Sequence, residues 1–231
     1  MSPAPSPRAA IRHAVILAAG RGTRMYPMTE VVPKPMIPFR GDSLISHAIT
    51  KLKRLGTQIH ITVGYKRSAL AQHVMEIGVD SVLNTEGRSN SWFLYHSLLA
   101  HLREPLLVLT CDNITEIDLP LLGAEYAELG DPACMVVPVV PVPGIDGDYI
   151  WHEQQTVTAL SRTEPSDSYC SGIQVVWPAR IRELAPEEGD FSTVWAQLMA
   201  RRELKASRIY PHPWMSIDTI DALMRAEARG P

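Results

Sequence analysis

The sequence has 231 residues, of which 45% are hydrophobic, and a formal net charge of −3. This length permits one or two domains with a hydrophobic core, and the small negative charge gives no general attraction to nucleic acid or to anionic membranes. No apolar run approaches the length of a membrane span, and the three cysteines are scattered without a CxxC pair, which indicates reduced thiols in a cytoplasmic protein and argues against a zinc cluster.

The first ten residues are rich in proline, serine and alanine, and they lack the apolar stretch of a signal peptide. We therefore expect residues 1–11 to form a flexible tail. Neither an internal repeat nor a linker divides the rest of the sequence, so we expect residues 12–231 to form a single domain.

The first predicted strand, 15–17, runs into small residues and then into the glycine-rich segment GRGTR at 20–24. A strand that ends in a glycine-rich turn can point backbone N–H groups at a phosphate. Arg21, Arg24 and Lys34 supply positive charge for a triphosphate, and a proline on each side of the lysine stiffens its segment.

Two well-known phosphate loops are excluded. The dinucleotide-binding fingerprint G-x-G-x-x-G requires a glycine at position 25, where this sequence has Met25. The P-loop sequence G-x-x-x-x-G-K-[ST] is absent. A bare G-x-G also fits a tight strand-to-helix turn with exposed arginines, so the short motif alone leaves both interpretations open.

Helical and strand patterns alternate along the first half of the sequence. They predict helices over 43–55, 68–75, 92–102 and 119–129, and strands over 59–63, 79–83 and 106–109. This alternation predicts an α/β fold with a Rossmann-like, doubly wound and mostly parallel sheet. Ligands of such sheets bind beyond the carboxyl ends of the strands, where Gly64, Asn84 and Asp112 are expected to meet the glycine-rich segment.

The pattern becomes β-rich after Cys134. Residues 135–142 are interrupted by prolines and predict an edge or bent strand. The later patterns predict a turn over 146–148, strands over 149–152, 156–160, 171–176 and 204–209, and helices over 181–184, 191–201 and 218–228. We interpret the strands near the middle of this part as a β-rich extension that covers the substrate.

The segment 17–36 as a whole resembles the signature of the sugar-nucleotide type nucleotidyltransferases, (L)AAGxGTRxxPxTxxxPKPM. The fixed positions are all present, namely Leu17, Ala18, Ala19, Gly20, Gly22, Thr23, Arg24, Pro27, Thr29, Pro33, Lys34, Pro35 and Met36. The resemblance extends over most of residues 13–228 and is weaker in the acceptor region. It implies an enzyme that uses Mg²⁺ to join an NTP to a small phosphorylated acceptor with release of pyrophosphate.

The resemblance implies two catalytic residues. Arg24 would stabilise the β- and γ-phosphates and the leaving pyrophosphate, and Lys34 would bridge the α-phosphate and the acceptor. The expected nucleotide-binding residues are Leu17, Ala18, Ala19, Gly20, Arg21, Gly22, Thr23 and Asn84. A general base is not required, because the attacking phosphate oxygen is already ionised near neutral pH, so positioning and charge neutralisation would carry the rate.

Two aspartates match the positions at which this superfamily holds its metal. Asp112 follows an apolar predicted strand, and Asp218 precedes the last predicted helix. Magnesium is usually held by one or two carboxylates and by phosphates of the substrate. Each aspartate could instead cap a helix, and for Asp218 in isolation the cap is the commoner role.

The surroundings of Asp218 distinguish branches of the superfamily. Members that act on sugar 1-phosphates tend to read W-x-D-x-G-T, which places the acid at position 216, but this chain has Ser216. Small cytidylyltransferases that act on phosphocholine and related phosphonates tend to read E-I-D-[ST], and Ser216-Ile217-Asp218-Thr219 matches three of these four positions. The serine leaves open whether one or two carboxylates approach the metal from this side.

The acceptor region also resembles the phosphocholine-type group, because an asparagine is followed by an aromatic residue and Ser-Leu. Asn90, Trp92, Tyr149 and Trp151 are therefore candidate acceptor-binding residues, since aromatic faces bind quaternary ammonium groups. The alternative is that these aromatic residues fill the core or line a cleft.

We expect CTP as the nucleotide and a phosphocholine-like or phosphonate acceptor, in a cytoplasmic monomer or dimer without nucleic-acid or membrane partners. One alternative is a sugar-1-phosphate nucleotidyltransferase that uses UTP, CTP or GTP. Another is a catalytically silent nucleotide-binding homologue, which Ser216 would permit.

Overall fold

The structure, a computed structural model, describes residues 10–142 and 147–228. Most of the predicted tail, and the first residue of the turn predicted over 146–148, lie outside the described residues. The strands are β1 (His13–Leu17), β2 (Pro38–Phe39), β3 (Asp42–Ser43), β4 (Gln58–Val63), β5 (Ser81–Asn84), β6 (Leu106–Thr110), β7 (Asn113–Thr115), β8 (Cys134–Val139), β9 (Tyr149–Glu153), β10 (Thr156–Ser161), β11 (Tyr169–Val176), β12 (Leu204–Ala206) and β13 (Trp214–Ser216).

The α-helices are α1 (Met28–Val31), α2 (Leu44–Arg54), α3 (Arg67–Ile77), α4 (Phe93–His96), α5 (Leu119–Glu128), α6 (Pro178–Leu184), α7 (Phe191–Ala200) and α8 (Ile220–Ala228). Short 3-10 helices cover Thr23–Met25, Lys34–Met36 and Leu98–His101. In the described ranges, no helix combines the length and the apolarity needed to cross a membrane. The alternation of strands and helices up to α5 confirms the predicted α/β class.

The chain forms two compact units. The signature unit contains the glycine-rich segment and comprises residues 13–88, 109–116 and 213–228 of the described chain. The β-rich unit comprises residues 10–12, 89–108 and 117–212. That residues 12–231 fold as a single domain stays a prediction.

The signature unit is built on parallel strands. β1, β4 and β5 lie side by side, with Ile61 of β4 paired to Ile16 on one side and to Val82 on the other. Isoleucine and valine side chains of β1 and β4 are buried, as expected for strands covered on both faces. The parallel order places the carboxyl ends of three strands at one edge, where the glycine-rich segment, Gly64 and Asn84 follow.

A hydrophobic cluster packs the signature segment, residues 17–36, and the residues that follow it against the last helix of the same unit. The buried residues of this cluster are Met25, Ile37, Phe39, Leu44, Ile217, Leu223 and Ala226. Met25 directly follows Arg24, and Ile37 lies three residues after Lys34. Ile217 directly precedes Asp218. Burial of these apolar side chains therefore brings the predicted catalytic residues and the second aspartate to the same place.

A short antiparallel ladder completes the signature unit. β13 pairs with β7, so that Ser216 lies opposite Asn113. The ladder continues past the strand ends, because the Ile217 N–H donates to the Asp112 carbonyl at 3.0 Å. Asp112 and Asp218 are thereby fixed as near neighbours, although they lie on distant parts of the sequence.

The β-rich unit contains a mixed sheet in the order β11, β8, β12, β10 and β9. β8 and β12 pair in parallel, and the other neighbours pair antiparallel. β9 also pairs with β11 through Tyr149 and Tyr169. Strands are therefore present at the predicted positions of this region, although β12 ends at Ala206 and covers only the first half of the strand predicted over 204–209.

Residues 135–142 were predicted to form an edge or bent strand, and the edge alternative was wrong, because β8 has a partner on each side. The sheet accommodates Pro138 in two ways. β12 pairs only with Cys134, Met135 and Val136, and therefore ends before the proline. On the other side, the register with β11 shifts next to Pro138, which is the irregularity expected where a proline lacks an N–H donor.

The helix predicted over 92–102 was also only partly correct. α4 ends at His96 and a 3-10 helix begins at Leu98. Ser97 separates them in an extended conformation, with its hydroxyl donating to the Phe93 carbonyl at 2.7 Å and accepting from the Leu99 N–H at 3.1 Å. The serine satisfies backbone groups locally and so competes with a continuous helix.

Candidate active site

Lys34 lies at the centre of a group of charged side chains in the signature unit. Its residue is only 8% exposed. Its Nζ donates to Oδ2 of Asp112 at 2.9 Å and also to Oδ1 of Asp218. One ammonium group thus bridges the two aspartates that the sequence predicted as metal ligands.

Arg24 and Ser216 complete this group. Nη2 of Arg24 donates to Oδ2 of Asp218 at 2.9 Å, while half of the arginine side chain remains exposed. The Ser216 hydroxyl lies 3.2 Å from Oδ2 of Asp112 and 3.4 Å from Oδ2 of Asp218, so it can donate to either carboxylate. We call these five residues the charged cluster.

The electrostatics of the charged cluster follow from its burial and its composition. Burial alone would lower the pKa of the Lys34 ammonium, but the carboxylates of Asp112 and Asp218 outweigh it and raise this pKa. Burial would raise the pKa of Asp112, but the adjacent lysine lowers it below its usual range. The pKa of Asp218 is raised by burial and by the charge of Asp112. Asp218 is therefore the less well compensated acid.

Neither aspartate acts as a helix cap. Asp112 is followed by strand β7. The last helix begins at Ile220, and the Ala222 N–H donates to the side chain of Thr219 at 3.1 Å. Thr219 therefore provides the N-terminal side-chain acceptor that a cap supplies, and Asp218 is available for the charged cluster.

Gly22 explains how Lys34 reaches this position. Its backbone is in the left-handed region, with φ of +63°. A Cβ atom on this residue would lie 2.7 Å from Cβ of Lys34 and 3.3 Å from Cγ2 of Thr29, closer than side chains normally approach. The second glycine of the motif is thus required by conformation and by space. Gly20 differs, since a Cβ atom there would have no neighbour within 4 Å.

The start of the predicted nucleotide-binding segment is held by backbone contacts. The Leu17 carbonyl accepts from the Cys111 N–H at 3.1 Å, and the buried Ala18 donates its N–H to Thr62 Oγ1 at 3.1 Å. The Ala19 carbonyl accepts from the Tyr65 N–H at 3.0 Å. These contacts fix the end of β1, after which Gly20 and Thr23 are exposed.

Arg21 takes no part in the contacts of the charged cluster given above, and its guanidinium group stacks on an aromatic ring. Its guanidinium carbon is 5.2 Å from the ring centroid of Tyr65. The Tyr65 hydroxyl donates to the Thr29 carbonyl at 3.0 Å, and Lys66 Nζ donates to the Val31 carbonyl at 2.9 Å. Sequence reasoning missed these supporting residues, although their place after the end of a predicted strand was a signal for them.

The other predicted residues have separate positions. Asn84, at the end of β5, accepts from the Glu86 N–H at 3.2 Å and forms a local turn. In the β-rich unit, Oδ1 of Asn90 accepts from the Phe191 N–H at 2.8 Å, at the first residue of α7. Asn90 thus has a structural contact that its predicted role as an acceptor ligand did not anticipate.

The aromatic candidates lie on different elements of the β-rich unit. Trp92 precedes α4 and stacks on His96, with ring centroids 5.3 Å apart. Tyr149, on β9, packs edge to face against Tyr169 at 5.2 Å, and Trp151 lies further along the same strand. The positions of these three residues do not test their predicted contact with an acceptor.

The residues of the charged cluster fit a magnesium ion completed by phosphates. Oδ1 of Asp112 is buried and has no hydrogen-bond partner among the described residues. A buried carboxylate oxygen without a partner is uncommon and calls for an ion or water. The described part of the chain contains no group of three or more His, Cys, Asp or Glu side chains placed to hold a metal. Magnesium needs only one or two carboxylates when substrate phosphates supply further ligands.

Comparison with protein families gives a match over residues 14–179 to the MobA-like NTP transferase domain. The UTP–glucose-1-phosphate uridylyltransferase AglF of Haloferax volcanii is 33% identical over 128 residues, which are 53% of this chain and 53% of that protein. The bifunctional protein GlmU of Methanococcus maripaludis is 41% identical over 63 residues, which are 27% of this chain and 15% of GlmU. The chain thus spans about half or less of these curated relatives.

Two solved structures resemble nearly the whole chain. The inositol-1-phosphate CTP transferase from T. maritima has a TM-score of 0.72 and 16% identity, with 96% of this chain and 98% of that chain covered. A UDP-glucose pyrophosphorylase complexed with UDP-glucose has a TM-score of 0.73 and 18% identity, with 95% and 98% covered. At these identities the likeness shows a shared fold, and it confirms the fold class expected from the sequence.

Proposed function

Because this chain belongs to the MobA-like NTP transferase family, we propose that it is a Mg²⁺-dependent nucleotidyltransferase. It would transfer a nucleoside monophosphate from an NTP to a small phosphorylated or phosphonate acceptor and release pyrophosphate. The observation that carries this proposal is the charged cluster, in which Lys34 and Arg24 of the signature segment meet Asp112 and Asp218. The family signature and the two carboxylates come from different parts of the sequence. Nucleotidyl transfer requires both, because the signature supplies the cations that would bind phosphate and the carboxylates would hold the metal.

Each residue of the charged cluster has a proposed task. Arg24 is half exposed and would bind the β- and γ-phosphates, which leave as pyrophosphate. Lys34 would bind an oxygen of the α-phosphate and offset the charge that builds up as the acceptor attacks. Its raised pKa keeps the ammonium protonated near neutral pH. The acceptor oxygen is ionised near neutral pH, so a proton need not be removed by the protein.

Asp112 and Asp218 would hold the magnesium ion, which when bound supplies positive charge beside the α-phosphate. The unpartnered Oδ1 of Asp112 is the first oxygen we assign to this task. The Ser216 hydroxyl would keep the two carboxylates in position through its contacts with both. Around the triphosphate, the segment from Gly20 to Thr23 would supply backbone N–H donors.

The favoured substrates are CTP and a phosphocholine-like or phosphonate acceptor. The residues that support this choice are Ser216-Ile217-Asp218-Thr219, which match three positions of E-I-D-[ST], and Asn90 followed by Trp92. One structural neighbour is named as a CTP transferase that acts on inositol 1-phosphate.

A second candidate is a nucleotidyltransferase that makes a sugar nucleotide. The relative AglF is named for UTP and glucose 1-phosphate, and its match to 128 residues supports this second candidate function.

Pyrophosphate release tests the proposal directly. Purified protein with Mg²⁺ would be given each of four NTPs together with phosphocholine, 2-aminoethylphosphonate, inositol 1-phosphate or a sugar 1-phosphate. Release with CTP and a non-sugar acceptor supports the favoured substrates, whereas release with a sugar 1-phosphate alone supports the second candidate. Binding of an NTP without release with any acceptor would favour a silent homologue.

The Lys34→Ala variant separates an enzyme from a silent homologue. An enzyme should lose turnover by orders of magnitude when the ammonium at the α-phosphate is removed. Lys53→Ala is the matched control, because Lys53 belongs to the same unit and donates to the Ile77 carbonyl at 2.7 Å instead of to a carboxylate. Circular dichroism of both variants would establish that they are folded.

A further inference from the structure

The lysine of the charged cluster occupies the space between the two proposed metal ligands. Nζ of Lys34 is 2.9 Å from Oδ2 of Asp112 and also donates to Oδ1 of Asp218. A cation held by one oxygen from each of two carboxylates has the surroundings that a metal ion would have. The ammonium group and a divalent ion therefore compete for the same two carboxylates, although Oδ1 of Asp112 is not among the oxygens that Lys34 contacts.

The charges of the cluster balance without a metal. Two carboxylates, Asp112 and Asp218, face two cations, Lys34 and Arg24. The side chains of Lys34 and Asp112 are 11% and 10% exposed, so solvent screens them little. A divalent ion that entered alone would leave excess positive charge in a buried site, which is energetically costly.

A metal bound to a nucleotide meets a different balance. The triphosphate carries more negative charge than one divalent ion neutralises, so the complex is an anion. Its phosphates offer Lys34 and Arg24 new partners, and the two carboxylates become free to bind the metal. Binding of the metal together with the nucleotide is therefore favourable, because Lys34 and Arg24 exchange a carboxylate partner for a phosphate partner.

We propose that Lys34 takes the place of the divalent ion between Asp112 and Asp218 while nucleotide is absent, so that metal binds together with the nucleotide and not before it. This inference rests on the proposed function, because it assumes that the two aspartates are the metal ligands. It assigns Lys34 a second task, which is to exclude free metal from the two carboxylates until nucleotide binds.

Manganese binding in the absence of nucleotide tests this inference. Mn²⁺ would be titrated into the wild-type protein of 231 residues and into Lys34→Gln, with free Mn²⁺ followed by electron paramagnetic resonance. Glutamine keeps N–H donors for the carboxylates but removes the charge. We expect Lys34→Gln to bind Mn²⁺ at least about tenfold more tightly than wild type. Lys53→Gln is the control and should bind as wild type does.

A second measurement keeps the test valid if Lys34→Gln does not fold. Calorimetry would compare binding of CTP and of UTP to the wild-type protein with and without Mn²⁺. The inference predicts that Mn²⁺ strengthens nucleotide binding although Mn²⁺ alone does not bind at the same concentration. Saturable binding of Mn²⁺ alone to the wild-type protein, at the concentrations that strengthen nucleotide binding, would overturn it.

The two proposals fail in distinguishable ways. Failure of the proposed function would appear as no pyrophosphate release by the wild-type protein with any NTP and acceptor, whether or not an NTP binds. Failure of the present inference would leave nucleotide binding and pyrophosphate release intact while free Mn²⁺ occupied the wild-type site.

Discussion

Replacement of Gly22 by alanine tests the link between the glycine-rich turn and the proposed catalytic lysine. Alanine in the left-handed conformation of this residue should cost about 1–2 kcal/mol of stability. The new Cβ would also lie 2.7 Å from Cβ of Lys34, and overpacking of this kind adds about 1–3 kcal/mol. We therefore expect Gly22→Ala to lower the free energy of unfolding by about 2–5 kcal/mol.

Gly41→Ala is the matched control. Gly41 also has a left-handed backbone, with φ of +82°, but a Cβ atom there would have no neighbour within 4 Å. Only the backbone cost applies, so we expect a loss of about 1–2 kcal/mol. The difference between the two variants isolates the contact with Lys34.

Urea unfolding of the wild-type protein and of both variants gives the stabilities, and pyrophosphate release with the active substrate pair gives turnover. A shift of Lys34 should reduce turnover at least about tenfold in Gly22→Ala, because small misplacements of catalytic groups are costly. Equal stability of the two variants, together with wild-type turnover of Gly22→Ala, would refute the argument that this glycine makes room for the lysine.

Three further changes test other parts of the structure. Ser216→Ala should reduce turnover severalfold and lower the free energy of unfolding by about 1 kcal/mol, measured by pyrophosphate release and urea unfolding, because the carboxylates lose the one hydroxyl that can donate to either of them. Asn90→Ala should also cost about 1 kcal/mol in urea unfolding, since α7 loses a contact at its first residue, with the KM for the acceptor unchanged if Asn90 is purely structural. Burial and the adjacent His13 lower the pKa of His60 to about 4 from its ordinary 6.5. The contribution of His60 to stability should therefore be full above pH 6.5 and be lost as the pH falls toward 4. His60→Gln should show a smaller loss of stability than the wild-type protein when urea unfolding at pH 5 is compared with unfolding at pH 7.

Each of these changes has a result that contradicts it. Wild-type turnover of Ser216→Ala would mean that the serine does not position the carboxylates. A raised KM for the acceptor in Asn90→Ala would favour the acceptor-binding role expected from the sequence. An equal fall in stability with pH in His60→Gln and in the exposed His101→Gln would assign the pH dependence to other groups.

Local sequence patterns predicted the elements whose determinants are also local. The helix expected over 43–55 is present as α2, and the side chain of Ser43 accepts from the Ser46 N–H at its start. Periodicity failed where one residue had a local alternative. The apolar pattern over 92–102 is helical throughout, but the backbone contacts of Ser97 divide it in two.

Contacts between distant residues were beyond the reach of the same patterns. Pro138 indicated an edge or bent strand, but the length of β12, about seventy residues later in the chain, decides that the proline is tolerated inside the sheet. A strand's neighbours depend on tertiary pairing, which a single stretch of sequence does not encode.

In the candidate site, too, a local pattern predicted some residues but not their distant partners. The glycine-rich segment pointed to Arg24 and Lys34 through its resemblance to a known signature. The partners of these residues could not be read from spacing, because Asp218 lies 194 residues from Arg24 and 184 from Lys34. In isolation Asp218 fitted a helix cap, and only the fold shows that Thr219 accepts from the helix instead.

The ladder between β7 and β13 ends where the Glu116 N–H donates to the Pro213 carbonyl at 3.2 Å. The chain leaves the signature unit after the first of these residues and returns to it at the second. Residues 117–212, the longest segment of the β-rich unit, are thus an insertion whose two ends are fixed side by side by the signature unit, the host. Because the entropic cost of closing a loop grows only with the logarithm of its length, this insertion can lengthen at small cost to the host. Evolution can therefore vary this insertion while Asp112 and Asp218 keep their positions.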